Sequence, residues 1–347
     1  MGQWGFFDLE RRLDALSAKG DPLETIKTTV PWEAYRADIE AVTGEKAKVR
    51  KSSAGRKPYD ALLKFKILVL QSLYNLSDEQ TEYLIRDRLS FMRFLDLGLE
   101  DPVPDATTIW LFREALVEAG LIDKLFERFS EHLQMKGYLA RGGQIIDATI
   151  VSAPKQRNSR DENEKVKAGQ TPKDWENNPA KNRQKDKDAR WTKKHGRSYY
   201  GYKNHVGVDK AHKLIRKWTA TDASPHDSQH LDDILDDANT SKEVWADSAY
   251  RSADIEAKLR GRGLRSRVHR RGVRNRPLSE VQMAANTMRS KVRARVEHVF
   301  AHQQNAMGGK IVRTIGLARA KFKIGMMNLS YNISRLVQLE RIAAAPG

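Results

Sequence analysis

The stretch Gln144-Ile-Ile-Asp-Ala-Thr-Ile-Val-Ser152 is the first β-type run of this 347-residue chain. Its apolar and β-branched residues predict a strand that is buried in a sheet. Asp147 interrupts the apolar run, and a carboxylate without a partner is costly at such a place unless it faces a ligand. The stretch therefore predicts the first strand of a sheet and a first candidate functional residue.

Four more β-type runs follow, interleaved with helical segments. The runs are residues 199–208, 214–220, 244–246 and 264–269. A helix with an acidic face precedes the run at 244–246, and another, from about Ala253 to Leu259, follows it. Strands that alternate with helices predict an α/β domain with a five-stranded sheet, which we place over residues 140–341.

Residues 1–139 are predicted to be all-helical, because apolar positions recur at helical spacing with Gly and Pro between the runs. Ser77-Asp-Glu-Gln80 is a capping box, which starts a helix expected to run to about Phe94. Asp105 starts another. Short consecutive helices allow a helix-turn-helix with Arg113 on the recognition helix, and a plain bundle that packs or dimerises is the equal alternative.

The formal net charge is +17, and it is unevenly distributed. Residues 262–323 hold sixteen Lys and Arg against Glu280 and Glu297. Clustered cations gain affinity for phosphates by displacing counterions, so we expect a nucleic acid partner. An anionic membrane is the weaker alternative, because no amphipathic membrane helix or lipidation motif is present. The basic connector from Glu45 to Lys57 is expected to contact phosphate.

Cysteine is absent, which excludes disulfides, thiolate metal sites and a cysteine nucleophile. Histidine and carboxylate side chains remain as metal ligands. The first ten residues do not resemble a signal peptide, and the most apolar stretch, Ile67 to Leu76, is too short to span a bilayer. The composition predicts a cytoplasmic protein without membrane contact, associated with the nucleoid through DNA.

A polar segment over residues 155–198 separates the first two predicted strands. It holds fourteen Lys and Arg against seven acidic residues and has almost no apolar residues to bury, which predicts a basic mobile insertion. Contact with DNA is favoured, and a solvated tether is the alternative. Trp175 and Trp191 are expected either to stack on unpaired bases or to dock on the protein itself.

Two further acidic residues are candidates beside Asp147. Asp247 ends a short apolar strand, where α/β sheets collect ligands; a simple turn cap is the alternative. Glu297 lies on a helical stripe between Arg293 and Gln304. An ordinary Arg–Glu pair is the alternative there, but the surrounding positive charge favours a metal ligand. Hard divalent cations need carboxylates that converge from distant parts of a chain.

Three blocks, taken in order, resemble the DDE transposases of the insertion-sequence-five family over nearly the whole chain. The blocks are Leu89-Ser-Phe-Met-Arg-Phe-Leu-Asp-Leu with Pro104-Asp-Ala-Thr-Thr-Ile-Trp, then Ile146-Asp-Ala-Thr, and finally Trp245-Ala-Asp-Ser-Ala-Tyr with Arg293-Ala-Arg-Val-Glu-His-Val-Phe. The ordered combination is specific, whereas each block alone is not.

The resemblance implies an RNase H-like catalytic domain with a mixed five-stranded sheet, after a helical domain that binds DNA or dimerises. It places the catalytic and metal-binding triad of the family on Asp147, Asp247 and Glu297. These side chains would hold two Mg²⁺ ions for an in-line displacement, and Mn²⁺ is the expected substitute for Mg²⁺. The family signature of Tyr, Arg, Glu and Lys falls on Ser290, Arg293, Glu297 and Gln304, so two of the four positions depart from it.

Further residues are expected to contact DNA or to support the metal site. Arg293 would orient Glu297 or touch phosphate, and Lys310 or neighbouring arginines would replace the missing Lys of the signature. Lys203 and His205 would line the DNA path. The full set comprises Arg293, Lys203, His205, Gln304, Lys310, Arg289 and Lys291, with Asp222 as a candidate supporting residue near the metals.

These features predict a DNA transposase that binds insertion-sequence ends, cleaves them and joins the freed 3′-hydroxyl to target DNA. Its partner would be double-stranded DNA, held by a homodimer or a larger synaptic complex, because two ends must be gripped. The alternatives are a catalytically silent DNA-binding descendant and a plain metal-dependent nuclease. Intact carboxylates at all three positions argue against the silent protein.

Overall fold

The computed structural model describes residues 7–48, 58–194, 196–272 and 277–344. Contacts divide the chain into a first unit, residues 1–136 with 329–347, and a second unit, residues 137–328. Most of the basic connector expected between Glu45 and Lys57 lies outside the described residues. The sequence prediction assigned residues 329–341 to the second domain, whereas here they group with the first unit, in which Thr29 Oγ1 donates a hydrogen bond to Glu340 at 3.0 Å.

Helices make up the first unit, as predicted for this part of the chain. They are α1 (Asp8–Ala18), α2 (Pro22–Thr29), a 3-10 turn (Trp32–Tyr35), α3 (Arg36–Lys48), α4 (Ala61–Tyr74), α5 (Asp78–Asp87), α6 (Leu89–Phe94), α7 (Ala106–Glu118) and α8 (Ile122–Met135). The end of α15 (Leu317–Ala344) also belongs to this unit. Buried aromatic side chains, including Tyr35, Phe65 and Phe129, fill its core.

Helix starts in this unit follow the predicted caps. The capping box of Ser77 and Gln80 is present at α5, and the Asp105 carboxylate accepts from Thr108 N at the start of α7, so both predictions are confirmed. The prediction of one helix as far as Phe94 is wrong, because Arg88 adopts an extended backbone conformation and separates α5 from α6, which ends at Phe94. Ser and Asp are preferred at helix N-termini because their side-chain oxygens accept from the first free backbone N–H groups.

Arg113 was the basic residue of the candidate recognition helix. Its guanidinium forms two hydrogen bonds with the Asp78 carboxylate, at 2.6 and 2.8 Å, and a third with Gln71. These bonds tie α7 to α5 and α4, and they leave the side chain engaged within the bundle. The arrangement supports the bundle interpretation over DNA recognition by this residue.

A mixed sheet forms the centre of the second unit. Its strands are β1 (Gln144–Ser152), β2 (Arg190–Lys194), β3 (Arg197–Asp209), β4 (Ile215–Asp222), β5 (Glu243–Trp245) and β6 (Arg265–Ser266). Strand β3 pairs antiparallel with β1 and β4, whereas β5 pairs parallel with β1 and β6 parallel with β5. The predicted bounds of β1 are confirmed.

The sheet has six strands, so the predicted count of five is corrected. The additional strand is β2, which pairs with the first part of β3. Its sequence, Arg190-Trp-Thr-Lys-Lys194, is too polar to be recognised as a buried strand, and it forms the outer strand of a hairpin. The predicted acidic helix is also shorter than expected, because α12 (Leu231–Ile234) ends before Asp236 and Asp237.

Helices cover both faces of β1. Ile146 belongs to an apolar core that contains residues of α12 and of α13 (Ala253–Gly261). Side chains alternate along a strand, so Asp147 faces the opposite side. On that side lies α14 (Glu280–Asn305), with Val296 and Val299 buried. The sheet therefore holds an acidic residue of β1 against a long, basic helix.

The segment over residues 155–198 is more ordered in its packing than its composition predicts. It contains α9 (Arg160–Lys167), α10 (Lys173–Glu176), α11 (Pro179–Arg183) and β2. Trp175 is fully buried, and its Nε1 donates to Glu162 at 2.6 Å. The expectation that the insertion has almost nothing to bury is corrected, because Val166 and Trp175 are buried, whereas its mobility stays a prediction.

Within the part of the chain that the structure describes, no helix combines the length and the apolarity that crossing a membrane requires.

Candidate active site

Two aspartates lie at equivalent positions of neighbouring chain segments. Strand β5 pairs in parallel with β1, and Ile145 lies opposite Trp245. Asp147 lies two residues after Ile145, and Asp247 lies two residues after Trp245, at which β5 ends, so both aspartates follow this last pair at the same distance along the chain. Paired strands lie about 4.8 Å apart, and the two carboxylates are close enough for their charges to interact. The structure therefore brings together the first two predicted residues.

Asp147 is held by a cation from α14. Arg293 Nη2 donates to Asp147 Oδ2 at 2.9 Å, and both side chains are mostly buried. Burial raises the pKa of the Asp147 carboxyl and outweighs the charge of Arg293 and the Ala148 N–H, which lower it; the charge of Asp247 raises the pKa further. The expectation that Arg293 orients Glu297 is corrected, since among described residues the ion pair of Arg293 is with Asp147.

Glu297 lies one turn beyond Arg293 on the same side of α14. A second contact from this stripe holds α14 to β1, because the Gln304 amide donates to Thr149 Oγ1 at 3.0 Å. Gln304 thus supports the site by positioning the helix. Glu297 lies between these two contacts in sequence, and its side chain is exposed. Among the described residues the structure brings Asp147 and Asp247 together, but it does not group Glu297 with them.

Across the described ranges, no three His, Asp or Glu side chains stand grouped to hold a metal ion. Carboxylates that converge without a cation repel each other, and here Arg293 neutralises Asp147. Asp147 and Asp247 still fit a hard divalent cation, because they offer neighbouring oxygen donors in a partly buried place.

Asp247 also caps a turn, which was the structural alternative to a functional role. Its Oδ1 accepts from Ala249 N at 2.8 Å and caps a 3-10 turn, Ser248–Tyr250. Asp222 acts in the same way at the end of β4, where its Oδ1 accepts from Ser224 N at 2.7 Å. A capping carboxylate keeps its second oxygen, so the cap at Asp247 and a metal-binding role are compatible.

Tyr250 and His269 lie beside the aspartates and were not predicted. The Tyr250 ring is buried, and its hydroxyl has no hydrogen-bond partner among the described residues. Burial raises its pKa well above the usual value, as do the charges of Asp227, Asp147 and Asp247. His269 N donates to the carbonyl of Ala246 at 3.1 Å. Tyr250 is the last residue of the sequence block that begins at Trp245, so the family resemblance could have singled it out. No sequence pattern singled out His269.

Lys203 and His205 do not line an open DNA path, and that prediction is wrong. Both are buried, because Pro225, Asp227 and His230 from the segment after β4 cover this face of β3. Lys203 Nζ donates to the Pro225 carbonyl at 2.6 Å and pairs with Asp227 at 2.8 Å. His205 Nε2 contacts Thr221 Oγ1 at 3.0 Å, and burial lowers the pKa of His205 to about 4.

The remaining predicted residues lie on or next to α14. Lys291 and Lys310 are exposed, so their side chains are free to meet a polyanion. Arg289 is half-buried, and its Nη1 donates to Asn286 Oδ1 at 3.0 Å. Burial lowers the pKa of Arg289, and the charges of Arg270, Arg251 and Arg267 lower it further.

Comparison with known families agrees with this arrangement. Residues 11–115 match the family described as Transposase domain (DUF772), and residues 139–333 match the family described as Transposase DDE domain. The second match covers more than half of the chain and includes Asp147, Asp247 and Glu297. No solved structure is significantly similar to the chain. The chain therefore belongs to the DDE transposases, enzymes of DNA transposition that use divalent metal ions.

Proposed function

We propose that this enzyme is the transposase of an insertion sequence of the insertion-sequence-five family, with Asp147, Asp247 and Glu297 as its catalytic residues. The proposal is supported by the parallel pairing of β1 with β5, which Asp147 and Asp247 both follow by two residues, and by the interaction between their charges. The order of the sequence blocks supports the family, and the mixed sheet with helices on both faces of β1 supports an RNase H-like fold.

The triad would hold two divalent cations, of which Mg²⁺ is the proposed one and Mn²⁺ a substitute. When bound, the cations lower the cost of attack at phosphorus and stabilise the leaving oxygen. The residues of the chain supply position and charge. Asp147 is fixed by the sheet and Asp247 by its cap at the 3-10 turn, while Gln304 anchors the helix that carries Glu297.

DNA is the substrate on which transposases act, and we propose that it reaches the site along the basic surface of α14. Exposed Lys291 and Lys310 lie on either side of Glu297 in sequence and would contact phosphate groups. Two transposon ends require two active sites, so we propose a homodimer or a larger complex with the helical unit as its DNA-binding or dimerisation part. Association with the nucleoid follows from DNA binding.

The test is cleavage and joining of a labelled duplex that carries one end of the element, with Mg²⁺ present. Wild type is expected to nick the end and to join its 3′-hydroxyl to a target duplex. Asp147→Asn and Asp247→Asn remove a negative ligand with little change in shape, so cleavage should fall at least about 10³-fold, equivalent to about 4 kcal/mol of barrier. Asp254→Asn, at an exposed acidic residue of α13, is the matched control and should retain activity.

The same assay separates the two alternatives. Binding of the end without cleavage by wild type would identify a catalytically silent DNA-binding protein. Cleavage without any joined product would identify a nuclease. Full activity of Asp147→Asn would contradict the proposed triad, whichever product formed.

A further inference from the structure

Four arginines form a positively charged group next to the candidate active site. We call Arg251, Arg267, Arg270 and Arg289 the arginine cluster. Arg251 Nη1 donates to the carbonyl of Val268, the residue after Arg267, at 3.1 Å, and the charges of Arg251, Arg267 and Arg270 all act on the Arg289 guanidinium. They come from the segment after Asp247, the segment after β6 and the first half of α14, so the fold assembles them from separate parts of the chain.

Asn286 of α14 joins two members of the cluster, Arg270 and Arg289. Its Oδ1 accepts from Arg270 N at 3.0 Å and its Nδ2 donates to the Arg270 carbonyl at 2.9 Å. The same Oδ1 accepts from Arg289 Nη1 at 3.0 Å. One neutral side chain therefore fixes the backbone of a loop and orients a second guanidinium beside it, which is the support that a defined binding site needs.

The cluster adjoins the aspartate pair through His269. His269 lies between Val268 and Arg270, and its backbone N–H bonds to the carbonyl of Ala246, the residue before Asp247. Burial and the charges of Arg293 and Arg289 lower the pKa of His269. The charge of Asp247 opposes this shift without reversing it. Charged groups of the active site and of the arginine cluster thus both interact with the His269 imidazole.

The acidic partners of the cluster are fewer than its cations. Arg251 pairs with Glu256 at 3.3 Å, and Arg267 pairs with Glu243 at 2.8 Å. Arg270 is exposed, and Arg289 is bonded to a neutral amide. Several guanidinium groups gathered in one place repel each other, and an anion with several acceptor oxygens relieves that repulsion.

We propose that the arginine cluster binds phosphodiester groups of the DNA strand beside the cleavage site, with Asn286 as its positioning residue. The inference rests on the proposed function and names a site for the DNA backbone that the catalytic triad does not require. Guanidinium groups suit this ligand because their planar N–H donors match phosphate oxygens. The cluster would hold the DNA while the aspartates act on the neighbouring phosphate.

The experiment measures the affinity of the full-length protein for the labelled end duplex at several salt concentrations, in EDTA so that no cleavage occurs. Each phosphate contact contributes about 0.9 to the slope of log affinity against log salt. Arg270→Gln with Arg289→Gln should lower the slope by about 2. Between 50 and 200 mM salt, wild type should then lose about tenfold more affinity than this variant.

Asn286→Ala tests the built site without a change of charge. The loop and Arg289 lose their common anchor, so affinity should fall at least about threefold, an effect that general electrostatic attraction would not produce. Lys258→Gln with Arg260→Gln is the matched control, because it removes two exposed cations from α13 outside the cluster. Arg270→Gln alone, at an exposed side chain, guards against loss of folding in the double variant.

An unchanged slope in both the double variant and Arg270→Gln, or a control that loses as much slope as they do, would overturn the arginine cluster as a DNA site. That result leaves the proposed function standing if wild type still binds and cleaves the end. Absence of binding and cleavage by wild type would instead overturn the proposed function.

Discussion

Arg293 Nη2 lies 2.9 Å from Asp147 Oδ2, and this ion pair joins α14 to the central strand of the sheet. Burial raises the pKa of the Asp147 carboxyl despite its cationic partner. The guanidinium therefore neutralises the same carboxylate that is proposed to bind a divalent cation. A bound cation and Arg293 would compete for Asp147, or share it.

Replacement of Arg293 should make the stability of the protein more dependent on metal. Arg293→Gln leaves a mostly buried carboxylate without its cation, so the free energy of unfolding should fall by about 1–3 kcal/mol. Mn²⁺ would then compensate this loss, because binding to the folded state stabilises it. Thermal unfolding with and without Mn²⁺ should show a larger metal-induced rise in Tm for Arg293→Gln than for wild type.

Arg295→Gln is the control for that comparison. Arg295 lies on the same helix and donates to the carbonyl of Lys210 at 2.6 Å, so its loss leaves no buried carboxylate unpaired. Its response to Mn²⁺ should equal that of wild type. An equal or smaller metal-induced rise in Arg293→Gln would contradict competition for Asp147.

The two tryptophans of residues 155–198 should behave differently. Trp175 is fully buried, so Trp175→Ala should destabilise the protein by about 3–5 kcal/mol. Trp191 is 45% exposed, and Trp191→Ala should leave unfolding nearly unchanged while it weakens binding of single-stranded DNA if the ring stacks on bases. Chemical denaturation and a fluorescence binding assay measure the two effects. Equal destabilisation by both substitutions would contradict the packing described above.

His205 should make stability depend on pH. Its pKa is lowered from 6.5 to about 4 by burial, with a smaller opposing effect from Asp227. Below pH 6.5 the unfolded chain takes up a proton that the folded chain does not, so stability falls as the pH drops towards 4, by up to about 3 kcal/mol. Replacement by Gln removes this titration. Between pH 6.5 and 4, the free energy of unfolding from denaturation curves should therefore fall less for His205→Gln than for wild type. An equal fall in the two proteins would exclude a buried, neutral His205.

Strand β1 and the two aspartates were within reach of the sequence. Ile146 and Val151 of β1 are fully buried, and the apolar run that contains them predicted a strand with the observed bounds. Asp147 was conspicuous because a carboxylate is costly in such a run. Its neighbour Asp247 followed from its place at a strand end and from the family resemblance, and the parallel register of β1 and β5 brings the two together.

Side-chain partners were beyond the reach of sequence, because they depend on contacts between distant segments. Arg293 was expected to act on Glu297 one turn away, yet it bonds to Asp147, which lies 146 residues earlier in the chain. Lys203 and His205 were expected to line the DNA path, but the segment that contains Pro225, Asp227 and His230 packs on that face of β3 and buries them. Polar composition hid the burial of Trp175 in the same way.

The position of bound Mn²⁺ tests the proposed triad most directly. A crystal structure of the protein with an end duplex and Mn²⁺, phased on the anomalous signal of the metal, should show Mn²⁺ about 2.1–2.2 Å from carboxylate oxygens of Asp147 and Asp247, with Glu297 turned towards the site. Anomalous peaks that lie away from both aspartates, in a complex that cleaves its DNA, would contradict the triad.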